Sequence, residues 1–198
     1  GLDVHPQIAG KSFLDLLKSD ADGQIDPTRD RAFMGKERHD VGREGDKGYP
    51  VRVIRTKEWL YVRNFEPDRW PAGTPNYQKA VIAGAWLADC DNGPTKTYMV
   101  ENQDNDSHHR KLYDLSFGKR PTAELYDLKK DPDQLVNVAD NPAYAKALKD
   151  LKKRLFAQLK ETGDPRITGK GPDFDKFPYL GGAPKYPGYK KPKKAPRK

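Results

Sequence analysis

ELYDLKKDPDQLVNVADNP, residues 124–142, joins a short strand to the best helix in the chain. An extended backbone over 123–128 puts Leu125 and Asp127 on one side and Tyr126 and Leu128 on the other, so at least one face has apolar side chains to bury. Residues 129–132 break that strand. Asp131 before Pro132 favours extended or turn backbone, and turn formers continue to Asp140, Asn141 and Pro142. A helix is expected to start there, with Asn141 accepting from an orphan amide and Pro142 in the first helical position, where an amide proton would have no partner. Tyr144, Leu148, Leu151, Leu155 and Leu159 then recur at spacings of four, three, four and four, which is one helical face. Lys146, Lys149, Lys152, Lys153 and Lys160 lie mostly off that stripe, and Gly163 with Pro165 stops the helix.

The rest of the composition argues for a modest core with long loops. Only 35% of the 198 residues are hydrophobic, and 17 Pro and 17 Gly punctuate long stretches without period 2 or 3.6. The net charge of +8 suggests an acidic partner, but Lys190, Lys191, Lys193, Lys194, Arg197 and Lys198 supply most of it and leave the body nearly balanced. The single cysteine, Cys90, excludes an internal disulfide and a cysteine zinc cluster. No run is apolar enough to span a membrane, residues 1–10 do not read as a signal peptide, and the chain begins at Gly1 without Met, as a fragment or processed product would.

Upstream of the opening stretch, 11–18 (KSFLDLLK) reads as a short helix or turn and 31–34 as a strand. Residues 37–48 (ERHDVGREGDKG) are charged, carry three Gly and read as a loop at the end of a sheet, a place where function often sits. The clearest hairpin follows: 50–55 and 59–64, rich in Val, Trp and Tyr, joined by Thr56, Lys57 and Glu58. Residues 66–110 give a weak signal, with 80–88 a candidate short helix between a proline-rich excursion and a polar stretch. Beyond Gly163 no period persists, so the end reads as an extended strap and then a disordered basic tail.

Among residues that could carry chemistry, His39 beside the carboxylates of Glu37 and Asp40 can donate to, or exchange a proton with, an anionic substrate. The same residues also read as a solvated polar loop. Arg52 and Arg55 are candidate sulfate or phosphate forks, although a salt bridge on the strand face is the simpler assignment. Asp104, Asp106, His108 and His109 are metal-type residues without the glycine and distal glutamate of a calcium hand or an HExxH spacing. The terminal lysines lack the aromatic interleaving of a nucleic-acid site. No GxSxG, phosphate loop or Cys/His dyad is present, so no self-sufficient catalytic set is legible.

The succession ERHDVGR (37–43), YPVRVIRTKEWLYVRNFEPDRWP (49–71), FGKRPTAELYDLKKDPDQLVNVADNP (117–142) and TGDPRITGKG (162–171) resembles the C-terminal region of sulfatases. RHDV followed by YPVR points to the heparan N-sulfatase (sulfamidase) branch in its bacterial form. The resemblance implies an α+β fold, a small antiparallel sheet packed against a long C-terminal helix with long loops, closing one side of the cleft of an alkaline-phosphatase-like enzyme. It implies a lead-in at 1–29, the subdomain at 30–162 and the strap and tail at 163–198. It also implies that the formylglycine nucleophile and calcium belong to an N-terminal catalytic domain, the principal partner, in a periplasmic or secreted parent. Cys90 is followed by Asp91, Asn92 and Gly93 rather than by the nucleophile's C-x-P/A-S-R pattern. The family's cleft-facing loop maps to His39, with Asp40 and Arg38 beside it as substrate-binding residues; Arg38 stands where some members have a second histidine. The expected ligand is a sulfated glycan, with neither nucleic acid nor membrane as partner. The alternative is a non-catalytic acidic-glycan-binding module that relies on its basic tail.

Overall fold

The structure is a computed structural model and describes residues 3–5, 8, 10–79, 81 and 85–178. Four strands, β1 (Arg31–Lys36), β2 (Val51–Thr56), β3 (Trp59–Asn64) and β4 (Ala123–Asp127), form one antiparallel sheet in chain order. The β2–β3 hairpin closes through Thr56, whose Oγ1 accepts from the amides of Glu58 and Trp59. In register, Phe33, Ile54, Tyr61 and Leu125 form a row across all four strands. The long helix α4 (Ala145–Glu161) presses Leu151, Leu155 and Leu159 onto this row, and Ile54, Leu125 and Leu155 are essentially inaccessible to solvent. The expected α+β architecture, a small antiparallel sheet under a long helix, is therefore present.

The 124–142 stretch also solves an edge problem. β4 ends the sheet, and its outward backbone groups would be open to pairing with another chain. Asn137 occupies them: its Oδ1 accepts from the Leu125 amide and its Nδ2 donates to the Ala123 carbonyl, while the Val138 amide donates to the Leu125 carbonyl. Asp131 folds the intervening turn by accepting from the amides of Leu135 and Val136. Asn141 accepts from the Ala143 amide, but Pro142–Tyr144 is one 3-10 turn that precedes α4 rather than its first α turn. Tyr144 meets Trp59 edge to face at 5.8 Å and fixes the start of α4 at the hairpin end of the sheet.

α4 stops at the opposite end. Gly163, at φ +65°, allows the amides of Gly163 and Asp164 to return to the carbonyls of Lys160 and Leu159, a Schellman closure that delivers Asp164 to the sheet. The following segment is turns and a 3-10 stretch at Gly171–Lys176 rather than extended chain. The tail expectation for 179–198 lies outside the described residues.

Two further helices, α2 (Pro94–Glu101) and α3 (Ser107–Phe117), occupy a region of little periodic signal. Tyr113 and Phe117, one turn apart on α3, pack with Leu87 as a second small core. The candidate helix at 80–88 is partly outside the described residues; its described end, 85–88, is irregular chain running into a bend and turn. The short helix α1 (Leu14–Leu17) is present and leaves Phe13, Leu14 and Leu17 exposed. Among the described residues, no helix is long and apolar enough to cross a membrane.

Candidate functional site

The 37–48 loop stands at the end of the sheet where α4 stops, and charge holds both of its ends. Glu37 accepts from Arg52 Nη2 at 2.6 Å and from Arg166 Nη2 at 2.5 Å. Arg52 Nε donates to Asp164 Oδ2 at 2.6 Å, and Asp164 Oδ1 accepts from the Arg166 amide at 2.8 Å. Glu37 thus bridges the Arg52 and Arg166 guanidiniums, Arg52 joins it to Asp164, and Asp164 closes the circuit on the Arg166 backbone amide; Glu66 lies 3.7 Å from Arg166 Nη1, and the Arg166 side chain is only 3% exposed. Burial pulls against the charge on Arg52, yet its bonds to Asp164 and Glu37 outweigh that and raise its pKa. Sequence reasoning favoured a strand-face salt bridge for Arg52, and that is its role; Arg55 is exposed.

The far end of the loop is clamped by Asp175. Its carboxylate receives Arg69 at 3.0 and 2.7 Å and the Gly48 amide at 3.1 Å. Burial pushes the Asp175 pKa up, but these donors prevail and hold it below the ordinary carboxylate value. Gly48 is obligatory in this arrangement, because a Cβ there would lie 2.4 Å from the Glu37 carbonyl oxygen.

Between the clamps, Arg38 reaches Asp46 and the Phe177 carbonyl, so its guanidinium is already engaged in shaping the loop. On the other side, the Asp40 amide donates to Asp89 Oδ1 at 3.1 Å, and Asp40 Oδ1 accepts from the Val41 amide at 2.6 Å. His39 is carried between these two anchors and is exposed. The loop therefore presents an imidazole from a backbone fixed on either side, an arrangement suited to donating a hydrogen bond to an anion.

Asp89 is the residue that sequence reasoning missed. Besides Asp40 it binds Arg43 Nη2 at 2.6 Å, with both side chains nearly inaccessible, and lies 3.5 Å from Lys36 Nζ. Arg43 also donates to the carbonyls of Trp70 and Pro71. Backbone bonds lace the same three segments together: Thr74 to Gly42, Leu87 to Thr74 and Asp89 to Ala72. Gly73, at φ +98°, permits this approach, since a Cβ there would sit 2.7 Å from the Ala88 amide nitrogen. No periodicity announces such a set; Asp40, Gly42, Arg43, Trp70 and Pro71 lie inside the quoted motifs, whereas Thr74, Leu87 and Asp89 do not.

Asp106, Asp104, His108 and His109 serve the start of α3. Asp106 caps it by accepting from the His109 amide at 2.9 Å, a bond that also lowers its pKa. Tyr98 Oη lies 2.9 Å from His109 Nε2, and Asp104 lies 3.6 Å from Arg110. With Asp106 spent on the helix end, these side chains do not fit a calcium ion. Cys90, half-buried and followed by Asp91, does not fit a formylglycine precursor either.

No protein-family model matches the chain. Two curated ulvan-active sulfatases of Formosa agariphila are similar to it. One is 28% identical over 118 residues, covering 58% of this chain and 17% of its own length. The other is 29% identical over 136 residues, covering 62% and 22%. The chain thus spans about a fifth of the curated relatives it matches. Among solved structures, a putative sulfatase from Bacteroides thetaiotaomicron aligns with TM-score 0.43 and 15% identity over 84% of this chain and 23% of its own. BT4656 in complex with its substrate D-glucosamine-2-N,6-O-disulfate aligns with TM-score 0.47 and 17% identity over 83% and 22%. The sequence likeness is to sulfatases, a class of hydrolases, without distinguishing the N-sulfatase branch.

Proposed function

We propose that this chain is the C-terminal subdomain of a sulfatase and that its 37–48 loop forms one wall of the cleft for a sulfated glycan. The observation that carries the reading is the partial likeness to curated sulfatases several times its length. The anchored, exposed His39 loop supports it. In this reading His39 donates to a sulfate or ring hydroxyl, Asp40 fixes the turn that aims it, and Arg38 sets the loop's outer edge while adding positive potential. The nucleophile and calcium are assigned to the rest of the polypeptide, where they would supply the attacking oxygen and charge stabilisation.

The substrate we propose is a sulfated sugar unit of a polysaccharide. N-sulfated glucosamine is the unit that the RHDV and YPVR resemblance points to, and ulvan units are the alternative suggested by the relatives' names. The test is steady-state desulfation of both substrates by the intact polypeptide with and without His39→Ala. A fall in kcat/KM of about tenfold or more, mainly through KM, is expected for loss of a charge-assisted contact to the ground state. Unchanged kinetics on every sulfated substrate that turns over would remove His39 from the site.

A further inference from the structure

A cleft of about 530 Å³ lies beside the loop, between the end of β1, the 86–93 turn, α2 and α3. Its walls include Lys36, Asp89, Lys96, Ser116, Phe117 and Arg120. Asp89 is common to the cleft and the His39 loop, because the carboxylate that lines the cleft also holds the Asp40 amide. A ligand seated on the loop therefore has this cleft as its neighbour.

The charges of the cleft do not cancel. Lys96 is buried, and its ammonium is satisfied by the carbonyls of Trp86, Leu87 and Cys90 and by Asn92 Oδ1, all neutral acceptors. Arg120 donates to the Leu115 carbonyl, again a neutral group. Among the described residues neither cation forms an ion pair. Asp89, the one buried carboxylate in the walls, is already matched by Arg43 at 2.6 Å, which leaves Lys36, 41% exposed at the rim, only a distant share of it at 3.5 Å. The exposed Asp91 in the wall, and the buried Glu124, which acts with Arg120 on Tyr126, offset part of this excess. Neutral carbonyl dipoles screen a buried cation only in part and do not cancel its charge, so the walls keep an excess of positive charge. Phe117 and Met99 add apolar surface, and Ser116 and Thr95 add hydroxyls. Apolar surface with hydroxyls and positive charge is the combination that a sugar ring bearing an acidic substituent requires.

We infer that this cleft is a subsite for an anionic sugar unit adjacent to the one held by the His39 loop, with Lys36 as its outer contact. The inference rests on the sulfatase reading for the loop, and it extends recognition from one sugar to at least two. The chain provides its own reporter, since its single cysteine, Cys90, lies in the cleft wall. The experiment times alkylation of Cys90 by iodoacetamide in the 198-residue chain. The additions are an N-sulfated glucosamine–uronate disaccharide, the neutral disaccharide of the same backbone, or inorganic sulfate. At about ten times its dissociation constant the anionic disaccharide should slow alkylation roughly tenfold. The neutral disaccharide and inorganic sulfate should give little protection, Lys36→Gln should weaken protection about fivefold at fixed ligand, and Lys36→Arg should retain it. Equal protection by inorganic sulfate would reduce the cleft to a small-anion pocket and overturn the sugar subsite. So would full protection in Lys36→Gln, or none by the disaccharide. Failure here with a kinetic defect in His39→Ala would leave the loop reading standing. Protection of Cys90 with an indifferent His39→Ala would do the reverse.

Discussion

The two ends of α4 are built by different physics. At its start, and along its length, the helix is held by apolar side chains in a cross-strand row: Phe33, Ile54, Tyr61 and Leu125 against Leu151, Leu155 and Leu159. At its finish, charge takes over: Glu37, Arg52, Asp164 and Arg166 close a ring, and Asp175 and Asp89 clamp the loop beyond. Apolar burial is non-directional and sets the stability of the whole, whereas charge-assisted hydrogen bonds fix positions to within a few tenths of an ångström. The candidate recognition loop sits on the second kind of foundation. A site that must place an imidazole accurately is better served there than by more leucine.

The contrast breaks most visibly in the core. Leu155→Ala should cost about 3 kcal/mol, within the usual range of about 2–5 for a buried leucine, and should lower the midpoint of global unfolding in denaturant. A loss below about 1 kcal/mol would mean that α4 does not seat on the sheet as described. In the charged end, Arg52→Ala leaves Glu37 with Arg166 alone and Asp164 with a backbone amide donor only, and should cost about 2 kcal/mol because Glu37 and Asp164 keep some contact with water. Its signature should be local, with faster amide exchange over 37–43 and little change in the centre of α4. Uniform acceleration everywhere would dissolve the distinction between the two ends.

The smallest effect is a pH dependence. Asp175 has its folded pKa depressed by Arg69 and the Gly48 amide, so its contribution is complete above the ordinary aspartate value and declines as pH falls through and below about 4. Thermal unfolding of the parent chain and Asp175→Asn should therefore differ at neutral pH and converge on acidification. A difference that grows on acidification would contradict the clamp.

Much of the apolar end was legible in the sequence. Leucines at helical spacing, β-branched and aromatic residues flanking a short turn, and the Asn141–Pro142 turn that leads into α4 each have a local cause that leaves a local pattern. Asn137 shows the limit: its motif was visible, but its work on the edge of β4 depends on a chain reversal that spacing alone does not encode. α2 was missed because its anchor is one lysine folding beneath three carbonyls, and α3 because its apolar face is narrow, though Asp106 before Ser107 was a readable cap. At the site, the loop was identified and His39 singled out. Asp89 and Arg166 were not, since an ion pair joining positions 52, 37 and 166 carries no periodic trace. The 124–142 stretch thus accounts for how the sheet ends and the helix begins, while the candidate recognition loop lies at the other end of that helix.

The most direct test is an amide chemical-shift map of the 198-residue chain titrated with N-sulfated glucosamine. The account predicts that the largest, saturable changes fall on 38–43 and on Asp89, with the outer face of α4 unaffected and the response retained when residues 190–198 are deleted. Changes confined to the lysine-rich end, lost with that deletion and steeply salt-dependent, would contradict it and identify a tail-driven glycan binder instead.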